Sequence, residues 1–477
     1  MSLWLDHIEK KLTQSSNYIE EVESGRRCYY SDLILRSRLI SNQLVSHEQK
    51  NITVILPNSI SYIEILLATL KSRNVFNPLP YFMSTGEMEA ILDYVEPSVV
   101  ITDREDIKQR FSYRFNILSP ADFQFLTTLR SARKIRESDI ACLYYSSGTT
   151  GNPKGILYSY ANIFHLINSI CAGFKFTGRT KHLSFLPFGH TAAINYNIFP
   201  CLFTGAPLYI SSGFENLRAS FFQTIEKYKI NYTQLVPTVL LMLLKLKYKV
   251  SDLDLSSLEF IGCGSSLLPL EVQKRFFDMY NIRVANLYGL SETGPSHIDN
   301  PREKNWVPGS IGRPLKVNAC KVNKRGEILL KGKNVFVGYY QNKKQYRKVV
   351  KKGWFCTGDL GEKKGAVYFF KGRKKDLIIK SGINIAPEEI EEIIYKYKYV
   401  KECIVVGIPD DVHGEEIAAV AVKKHPIPTG AFIMELQHIC KNYLSNFKVP
   451  KYIKVAETLP KTHSGKLLRR KAYEQFF

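Results

Sequence analysis

The sequence lacks several features that would restrict its class. Its apolar runs, such as residues 239–244, are far shorter than the roughly 20 residues that span a bilayer. Residues 1–12 mix acids with bases and contain no apolar core, so we expect neither a secretory signal nor a transit peptide. The nine cysteines form no C-x-x-C pair or zinc-like spacing, and their odd number argues against a disulfide framework. These absences predict a cytoplasmic protein without an integral membrane segment.

Acidic residues are also scarce, with 44 Asp and Glu against 66 Lys and Arg, which gives a formal charge of +22. Residues 316–375 hold 18 bases and 3 acids, so 18 − 3 = +15 of the excess lies there. Such a segment suits an anionic membrane, nucleic acid, an acidic protein or a cofactor, or is simply a solvated surface. No zinc-finger, basic-zipper or RNA-recognition signature accompanies it, so we expect no nucleic-acid partner.

Length and patterning predict an α/β protein of more than one domain. The chain has 477 residues, of which 45% are hydrophobic. Strands alternate with helices to about residue 296, which favours a large N-terminal domain of doubly wound sheets. Short strands over 309–373 indicate a small β-barrel-like or sheet subdomain. We therefore expect an N-terminal domain over 1–373 and a small, mobile α+β C-terminal domain over 374–477.

Residues 145–155 read Y-S-S-G-T-T-G-N-P-K-G and are typical of a phosphate-holding loop. Glycines let the backbone bend towards a ligand, while the hydroxyls and Lys154 offer donors and a positive charge. The lysine is followed by Gly155, so the loop is not the nucleoside-triphosphatase motif. A polar surface loop between a strand at 140–145 and a helix from about residue 161 is the alternative.

Other segments resemble, in order, those of the adenylate-forming superfamily, which includes acyl-CoA synthetases, aryl-CoA ligases, peptide-synthetase adenylation domains and luciferases. Besides the loop they are Y-G-L-S-E-T from Tyr288, T-G-D ending at Asp359, G-R-K-K-D from Gly372, and P-K-T-H-S-G-K ending at Lys466. The resemblance covers nearly the whole chain. It implies ATP-dependent activation of a carboxylic acid to an acyl-adenylate, followed by transfer to a pantetheine thiol.

The resemblance also implies roles for individual residues on the phosphate side. The loop residues that would hold the β- and γ-phosphates are Ser146, Ser147, Gly148, Thr149, Thr150 and Lys154, with Thr149 also counted as catalytic. Glu292 matches the ligand of Mg²⁺, an ion that prefers carboxylate oxygens and keeps water and substrate phosphates as further ligands. Charge neutralisation of this kind assists attack by a weak carboxylate nucleophile.

On the nucleoside side, Tyr288 matches the aromatic that packs on adenine, and residues 262–266, which include Gly264, match the segment on the other face. Gly289 and Ser291 belong to the same motif as Tyr288. Asp359 matches the acid that binds the ribose hydroxyls, and Arg373 matches a ribose and phosphate contact.

The resemblance implies a mobile tail that serves both half-reactions. Lys466 would reach into the site during adenylation only, and Lys375 occupies the hinge position. Rotation about the hinge would withdraw Lys466 and bring residues 380–387, with Gly382, towards a thiol tunnel. The acceptor is CoA or the phosphopantetheine of an acidic acyl carrier protein, and the sequence leaves both open.

His190 aligns with the family's acyl-pocket segment, where it is counted as catalytic. No aspartate lies in residues 188–193 to pair with a substrate ammonium, which disfavours an α-amino acid. The neighbouring residues predict a small apolar or aromatic acid. No motif supports a luciferase-like oxygenation, and the presence of Glu292, Asp359 and Lys466 argues against a catalytically silent homologue.

Overall fold

The computed structural model describes residues 3–47, 49–123, 134–146, 154–246, 248–462 and 467–477. Two seven-stranded sheets dominate it, both largely parallel and flanked by helices. This confirms the predicted α/β class with doubly wound sheets. The division of the chain at Lys374 stays a prediction of the sequence.

The first large sheet carries the strands nearest the candidate site. All its pairings are parallel except the one between its last two strands. In spatial order the strands are Val284–Leu287, Phe260–Gly264, Tyr232–Leu235, His182–Ser184, Leu208–Ile210, Tyr18–Glu21 and Arg27–Tyr29.

The second large sheet is parallel at its centre and antiparallel where the glycine-rich loop lies. Its strands are, in spatial order, Gly338–Tyr339, Lys154–Ser159, Ile140–Ser146, Val75–Pro78, Asn51–Ile55, Val99–Thr102 and Ile117–Leu118. Strand Lys154–Ser159, which lies between the loop and helix Tyr160–Phe174, was not predicted from the sequence. The physical reason is long-range pairing, because this strand bonds to Ile140–Ser146 on one side and to Gly338–Tyr339 on the other.

The β-rich part is an antiparallel five-stranded sheet. Its strands are Asn318–Val322, Glu327–Gly332, Trp354–Lys364, Val350–Lys351 and Val367–Arg373. Its inner face packs on Tyr288 and Ile311 through Ile328 and Leu330. Two short pairs lie beside it, Gly289–Leu290 with Gly294–Pro295 and His297–Ile298 with Arg313–Pro314.

The C-terminal part has the predicted α+β composition. After the short 3₁₀ helix Lys374–Asp376, its sheet contains Ile383–Ile385, Ile378–Lys380, Gly414–Lys423, Val400–Asp410 and Tyr452–Ala456. Only the last strand pairs in parallel. Helices Pro387–Ile394, Thr429–Tyr443 and Arg469–Phe476 pack against it.

Local signals explain where several helices of the N-terminal part begin. Ser159 Oγ accepts a hydrogen bond from the Asn162 backbone amide, and the Ser159 amide donates to Asn162 Oδ1, so helix Tyr160–Phe174 starts on a capping box directly after a strand. The other helices are Leu3–Thr13, Tyr30–Leu44, Ile60–Lys71, Thr85–Val95, Glu105–Phe111, Thr191–Ala193, Phe199–Thr204, Phe214–Leu217, Phe221–Tyr228, Pro237–Leu246, Leu270–Tyr280 and Lys343–Val349. No helix in the described ranges combines the length and apolar character needed to cross a membrane.

Candidate active site

The glycine-rich loop connects two antiparallel strands. Ser146 pairs with Lys154 and Tyr145 with Gly155, so the described residues on either side of the loop belong to neighbouring antiparallel strands. A Cβ on Gly155 would lie 2.8 Å from both Leu143 Cδ1 and Tyr340 Cβ, which explains the need for glycine there. Residues 147–153, which include Ser147, Gly148, Thr149 and Thr150, lie outside the described ranges, as does the side chain of Ser146.

Tyr288, Asp359 and Arg373 form one connected group. The Tyr288 hydroxyl donates to Asp359 Oδ2 over 2.8 Å, and Arg373 Nε lies 3.1 Å from Asp359 Oδ1. The Asp359 amide donates to the Thr357 hydroxyl, which itself donates to the Ile328 carbonyl. Asp359 is only 2% exposed, so its carboxylate is fixed by both partners before any ligand arrives.

Glu292 lies on the turn after Tyr288, and the sequence reasoning missed its main partner. The Tyr339 hydroxyl donates to Glu292 Oε1 over 2.9 Å, and the Phe336 amide donates to the Glu292 carbonyl. Burial raises the pKa of Glu292, and this outweighs the opposing effects of Tyr339 and of the positive charges of Lys154 and Arg373. A half-buried carboxylate without an ion pair in the described part of the chain suits a cation.

The turn around Glu292 is braced by its neighbours. The Tyr158 hydroxyl donates to the Ser291 carbonyl over 2.8 Å, and Asn334 donates to the Thr293 carbonyl. Gly289 cannot carry a side chain, because a Cβ would lie 2.3 Å from the Gly294 carbonyl oxygen. Packing alone therefore requires glycine at position 289 of the Y-G-L-S-E-T motif.

A cavity of about 860 Å³ opens beside Tyr288, between the β-rich sheet and the C-terminal part. Asn286 and Phe370 line it, and the Phe370 ring centroid lies 6.2 Å from that of Tyr288. The sequence reasoning missed both residues. Asn286 could have been predicted from the sequence. It lies two positions before Tyr288, and alternate residues of an extended segment point to the same side.

The segment 262–266, predicted to contact adenine, is shaped by glycine and by one unusual serine. A Cβ on Gly264 would lie 2.6 Å from the Leu287 carbonyl oxygen, so only glycine fits against the neighbouring strand. Ser265 adopts φ of +70°, a left-handed conformation that is uncommon outside glycine. Strained backbone of this kind concentrates at ligand sites.

The hinge candidate Lys375 lies near residues that are predicted to bind the nucleotide, Arg373, Asp359 and Lys154. Partial burial lowers the pKa of Lys375, and the charges of Arg373 and Lys154 act in the same direction. Lys466 lies outside the described ranges. The chain on either side of it is joined by a bridge between Lys461 and Leu467, and the Leu468 amide donates to the Pro460 carbonyl.

Of the residues predicted to approach the thiol tunnel, 381–384 are exposed in this arrangement, whereas Ile385 and Pro387 are buried. Strands Ile378–Lys380 and Ile383–Ile385 form a hairpin with Ser381 and Gly382 at its tip, both with positive φ. A Cβ on Gly382 would meet no atom within 4 Å. The hairpin is therefore free to contact another surface.

His190 begins the segment expected to line the acyl pocket. Its Nδ1 accepts a hydrogen bond from the Ala192 amide, which caps helix Thr191–Ala193. A π-helix, Ile194–Ile198, follows, ending before Pro200, which has no amide hydrogen to continue a regular ladder. Asn195 on this π-helix lies beside Gly294, with its Nδ2 3.3 Å from where a Cβ on Gly294 would lie.

Comparison with known proteins identifies the family. The profile of the AMP-binding enzyme family matches residues 8–340, and that of the AMP-binding enzyme C-terminal domain matches residues 389–466. The chain belongs to the AMP-binding enzyme family. This confirms the resemblance to adenylate-forming enzymes inferred from the motifs.

Curated relatives of this AMP-binding enzyme are CoA ligases. The long-chain-fatty-acid–CoA ligase of Bacillus subtilis (strain 168) is 34% identical over 360 residues, which cover 71% of this chain and 62% of the relative. A 2-succinylbenzoate–CoA ligase of Listeria monocytogenes serovar 1/2a is 29% identical over 426 residues, which cover 89% of this chain and 86% of the relative.

Solved structures of similar fold match nearly the full length of this AMP-binding enzyme. An anthranilate CoA ligase in complex with anthranoyl-AMP has a TM-score of 0.89 at 21% identity, covering 99% of this chain and 96% of that one. The o-succinylbenzoate CoA synthetase of Bacillus subtilis with ATP and magnesium has a TM-score of 0.85 at 24% identity, covering 98% and 99%. At these identities the likeness confirms the fold.

Proposed function

We propose that this chain is an AMP-forming acid–thiol ligase that converts a carboxylic acid to its CoA thioester. The observation that carries the proposal is the meeting of Tyr288, Asp359, Arg373, Lys154 and Glu292 around one site, in a chain of the AMP-binding enzyme family. The names of the curated relatives favour CoA over a carrier protein as the acceptor.

In the first half-reaction, a substrate carboxylate oxygen attacks the α-phosphorus of ATP. The bond from that phosphorus to the bridging oxygen breaks, and pyrophosphate leaves. Negative charge spreads over the phosphates, and Lys154 and Arg373 would balance it. Asp359 would accept hydrogen bonds from the ribose hydroxyls, while Tyr288 and Phe370 would provide aromatic surface for adenine.

Glu292 would hold Mg²⁺, which supplies charge neutralisation at the phosphates when bound. The fit rests on a half-buried carboxylate whose pKa is raised by burial and whose second oxygen is left for a ligand by Tyr339. Among the described residues, no cluster of three or more histidine, cysteine or acidic side chains could form a complete metal site. Phosphate oxygens and water would therefore complete the shell.

In the second half-reaction, the thiol sulfur attacks the acyl carbon of the adenylate. The bond from that carbon to the phosphate oxygen breaks, AMP leaves and the thiol proton passes to solvent. The proposal includes rotation about Lys375, which would exchange Lys466 for the exposed hairpin that carries Gly382. A cytoplasmic location and a small acid as substrate belong to the same proposal.

Pyrophosphate exchange across a panel of carboxylic acids tests adenylation. Lys466→Ala should nearly abolish exchange and spare thioester formation from preformed adenylate, because the lysine would act in the first step only. Equal loss of both steps would contradict the hinge assignment. Product formed on a phosphopantetheinylated carrier protein, with none from free CoA, would reject CoA as acceptor.

A further inference from the structure

Glu388 is a buried acid at which the C-terminal part meets the strand that ends at Arg373. It is the second residue of helix Pro387–Ile394, and its side chain is 10% exposed. Its Oε1 accepts a hydrogen bond from Arg469 Nη2 over 2.8 Å. Its Oε2 is buried and has no hydrogen-bond partner in the described part of the chain. One oxygen of this carboxylate is therefore satisfied and the other is not.

The unsatisfied oxygen lies against Gly372, the residue before Arg373 on strand Val367–Arg373. A Cβ on Gly372 would lie 2.5 Å from Glu388 Oε2 and 3.1 Å from Ala386 Cβ. Gly372 also adopts φ of +128°, a conformation that favours glycine. The carboxylate oxygen therefore packs directly on the backbone of a strand that carries a predicted nucleotide residue.

Arg469 holds the carboxylate in this orientation. Its Nη1 donates to Glu391 Oε1 and, over 2.6 Å, to the Val405 carbonyl, while its Nη2 also donates to Glu391 Oε2 over 2.9 Å. The guanidinium group is planar and rigid, so these bonds fix its position. Glu388 therefore keeps its place relative to the helix that begins at Arg469 and to strand Val400–Asp410.

The contact between Glu388 and Gly372 spans the hinge candidate. Gly372 precedes Lys375, whereas Glu388 and Arg469 follow it. Rotation about Lys375 would separate Glu388 from Gly372 and keep it beside Arg469. Because residues 381–384 are exposed, the present arrangement is the one proposed for adenylation. The contact should therefore exist in that arrangement and be absent during thioester formation.

Burial makes this contact unfavourable. It raises the pKa of Glu388, the charge of Glu391 acts in the same direction, and the two together outweigh the opposing effect of Arg469. A buried carboxylate oxygen without a partner has lost its hydration and gained no hydrogen bond in return. Rotation would return water to Oε2 and leave the bond to Arg469 intact. The solvation of Glu388 therefore favours the rotated arrangement.

We infer that Glu388 limits the stability of the adenylation arrangement and so promotes the rotation that the second half-reaction needs. The inference rests on the proposed function and goes beyond it by assigning Glu388 as a positioning residue for the change between the half-reactions. A small side chain at this position would hold the C-terminal part in the adenylation arrangement for longer.

The test separates the two half-reactions in Glu388→Ala. The acid is whichever of acetate, octanoate, palmitate and benzoate supports the fastest pyrophosphate exchange in the wild type. The variant should form thioester from the preformed adenylate about fivefold to tenfold more slowly and keep kcat for exchange within about twofold, because the equilibrium shifts towards the adenylation arrangement. Glu474→Ala is the matched control, since it removes a 53% exposed carboxylate that pairs with Arg470 of the same helix. Both of its half-reactions should stay within about twofold of the wild type.

Gly372→Ala provides a second reading from the other side of the contact. The added methyl would press on Glu388 Oε2, so exchange should fall about tenfold while thioester formation is kept. In the Glu388→Ala background the same substitution should cost at least about threefold less, because the two residues are in contact. Tryptic cleavage after Lys374 and Lys375 with MgATP reports the arrangement without any acid, and Glu388→Ala should slow it at least about twofold.

Exchange that falls in Glu388→Ala, equal losses of both half-reactions, or unchanged cleavage would overturn the inference and leave the ligase proposal standing. Absence of exchange with every acid of the wider panel, in a wild-type chain whose melting temperature rises with MgATP, would instead reject the proposed function. The rate of cleavage would then still decide whether Glu388 opposes the present arrangement.

Discussion

Tyr288 and Asp359, 71 positions apart in sequence, are joined by a 2.8 Å hydrogen bond in which the tyrosine hydroxyl donates to the carboxylate. Asp359 also pairs with Arg373, so three of the predicted nucleotide residues form one pre-ordered unit. Because the carboxylate is already oriented, ligand binding does not have to order it. The adenine and ribose contacts should therefore be energetically coupled.

Tyr288→Phe tests that coupling. It removes one hydrogen bond to a charged group and keeps the ring, so we expect KM for ATP to rise about tenfold, equivalent to roughly 1.4 kcal/mol, with kcat little changed. Steady-state adenylation assays measure both. Tyr160→Phe is the matched control, because it loses a buried hydroxyl bond to the Leu70 carbonyl of helix Ile60–Lys71, away from the candidate site. An equal rise in KM for both variants would contradict a specific role of Tyr288.

Glu292→Gln should separate stability from activity. Burial raises the pKa of Glu292, so its contribution to the stability of the ligand-free protein is full below about pH 4.5 and is lost as pH rises through the folded-state pKa. The neutral variant should therefore melt higher than wild type at pH 7 and equally near pH 4. Its adenylation rate should fall about 100-fold or more. Calorimetry with and without MgATP checks this, and an unchanged stabilisation by MgATP would argue against Glu292 as the metal ligand.

Asp299 lies outside the predicted nucleotide site, and we expect it to cause a second dependence of stability on pH. It is 2% exposed, and burial raises its pKa to about 7 despite a hydrogen bond from the Asn286 amide. Its stabilising contribution is full below about pH 4 and is lost as pH rises to about 7, a change on the order of 2–4 kcal/mol. Between pH 5 and pH 8, the free energy of unfolding measured in urea should fall less for Asp299→Asn than for the wild type. An identical loss in both proteins would assign the pH dependence to other groups.

Opposite charges face each other across the 860 Å³ cavity. Glu389 and Glu392 of helix Pro387–Ile394 line it together with Lys371 of the β-rich sheet and Lys374 of the 3₁₀ helix Lys374–Asp376. Among the described residues the nearest ion pairs of these side chains are local, Lys448 with Glu389 and Lys371 with Glu362. The cross-cavity attraction should favour the present arrangement of the two parts by up to about 1 kcal/mol at low salt.

Glu392→Lys should therefore lower adenylation about twofold to fivefold relative to thioester formation from preformed adenylate. The double variant Glu392→Lys with Lys371→Glu restores the charge pair and should recover the wild-type ratio. Both variants should be compared with the wild type at 20 mM and at 300 mM salt. At 300 mM, screening should remove the difference in ratio between them. If the double variant does not recover the wild-type ratio at low salt, these charges do not influence the arrangement of the two domains.

The sequence alone determined the fold class, the order of the motifs and the family, because each depends on local patterns of residue type. Three such patterns can be recognised in the sequence. They are glycines that permit close approach, hydroxyls and a lysine near a turn, and strands alternating with helices. The strand predicted at 140–145 and the helix predicted from about residue 161 each begin within one residue of the observed Ile140–Ser146 and Tyr160–Phe174.

Only the tertiary structure decided which of those residues meet. Strand Lys154–Ser159 was missed because its stability comes from Ile140–Ser146 and from Tyr340, whose amide donates to the Gly155 carbonyl. Tyr339 reaches Glu292 across 47 positions, and Tyr288 reaches Asp359 across 71. Pairing of distant segments in a sheet follows from the packing of the entire core, whereas residue type at a motif follows from the chain itself.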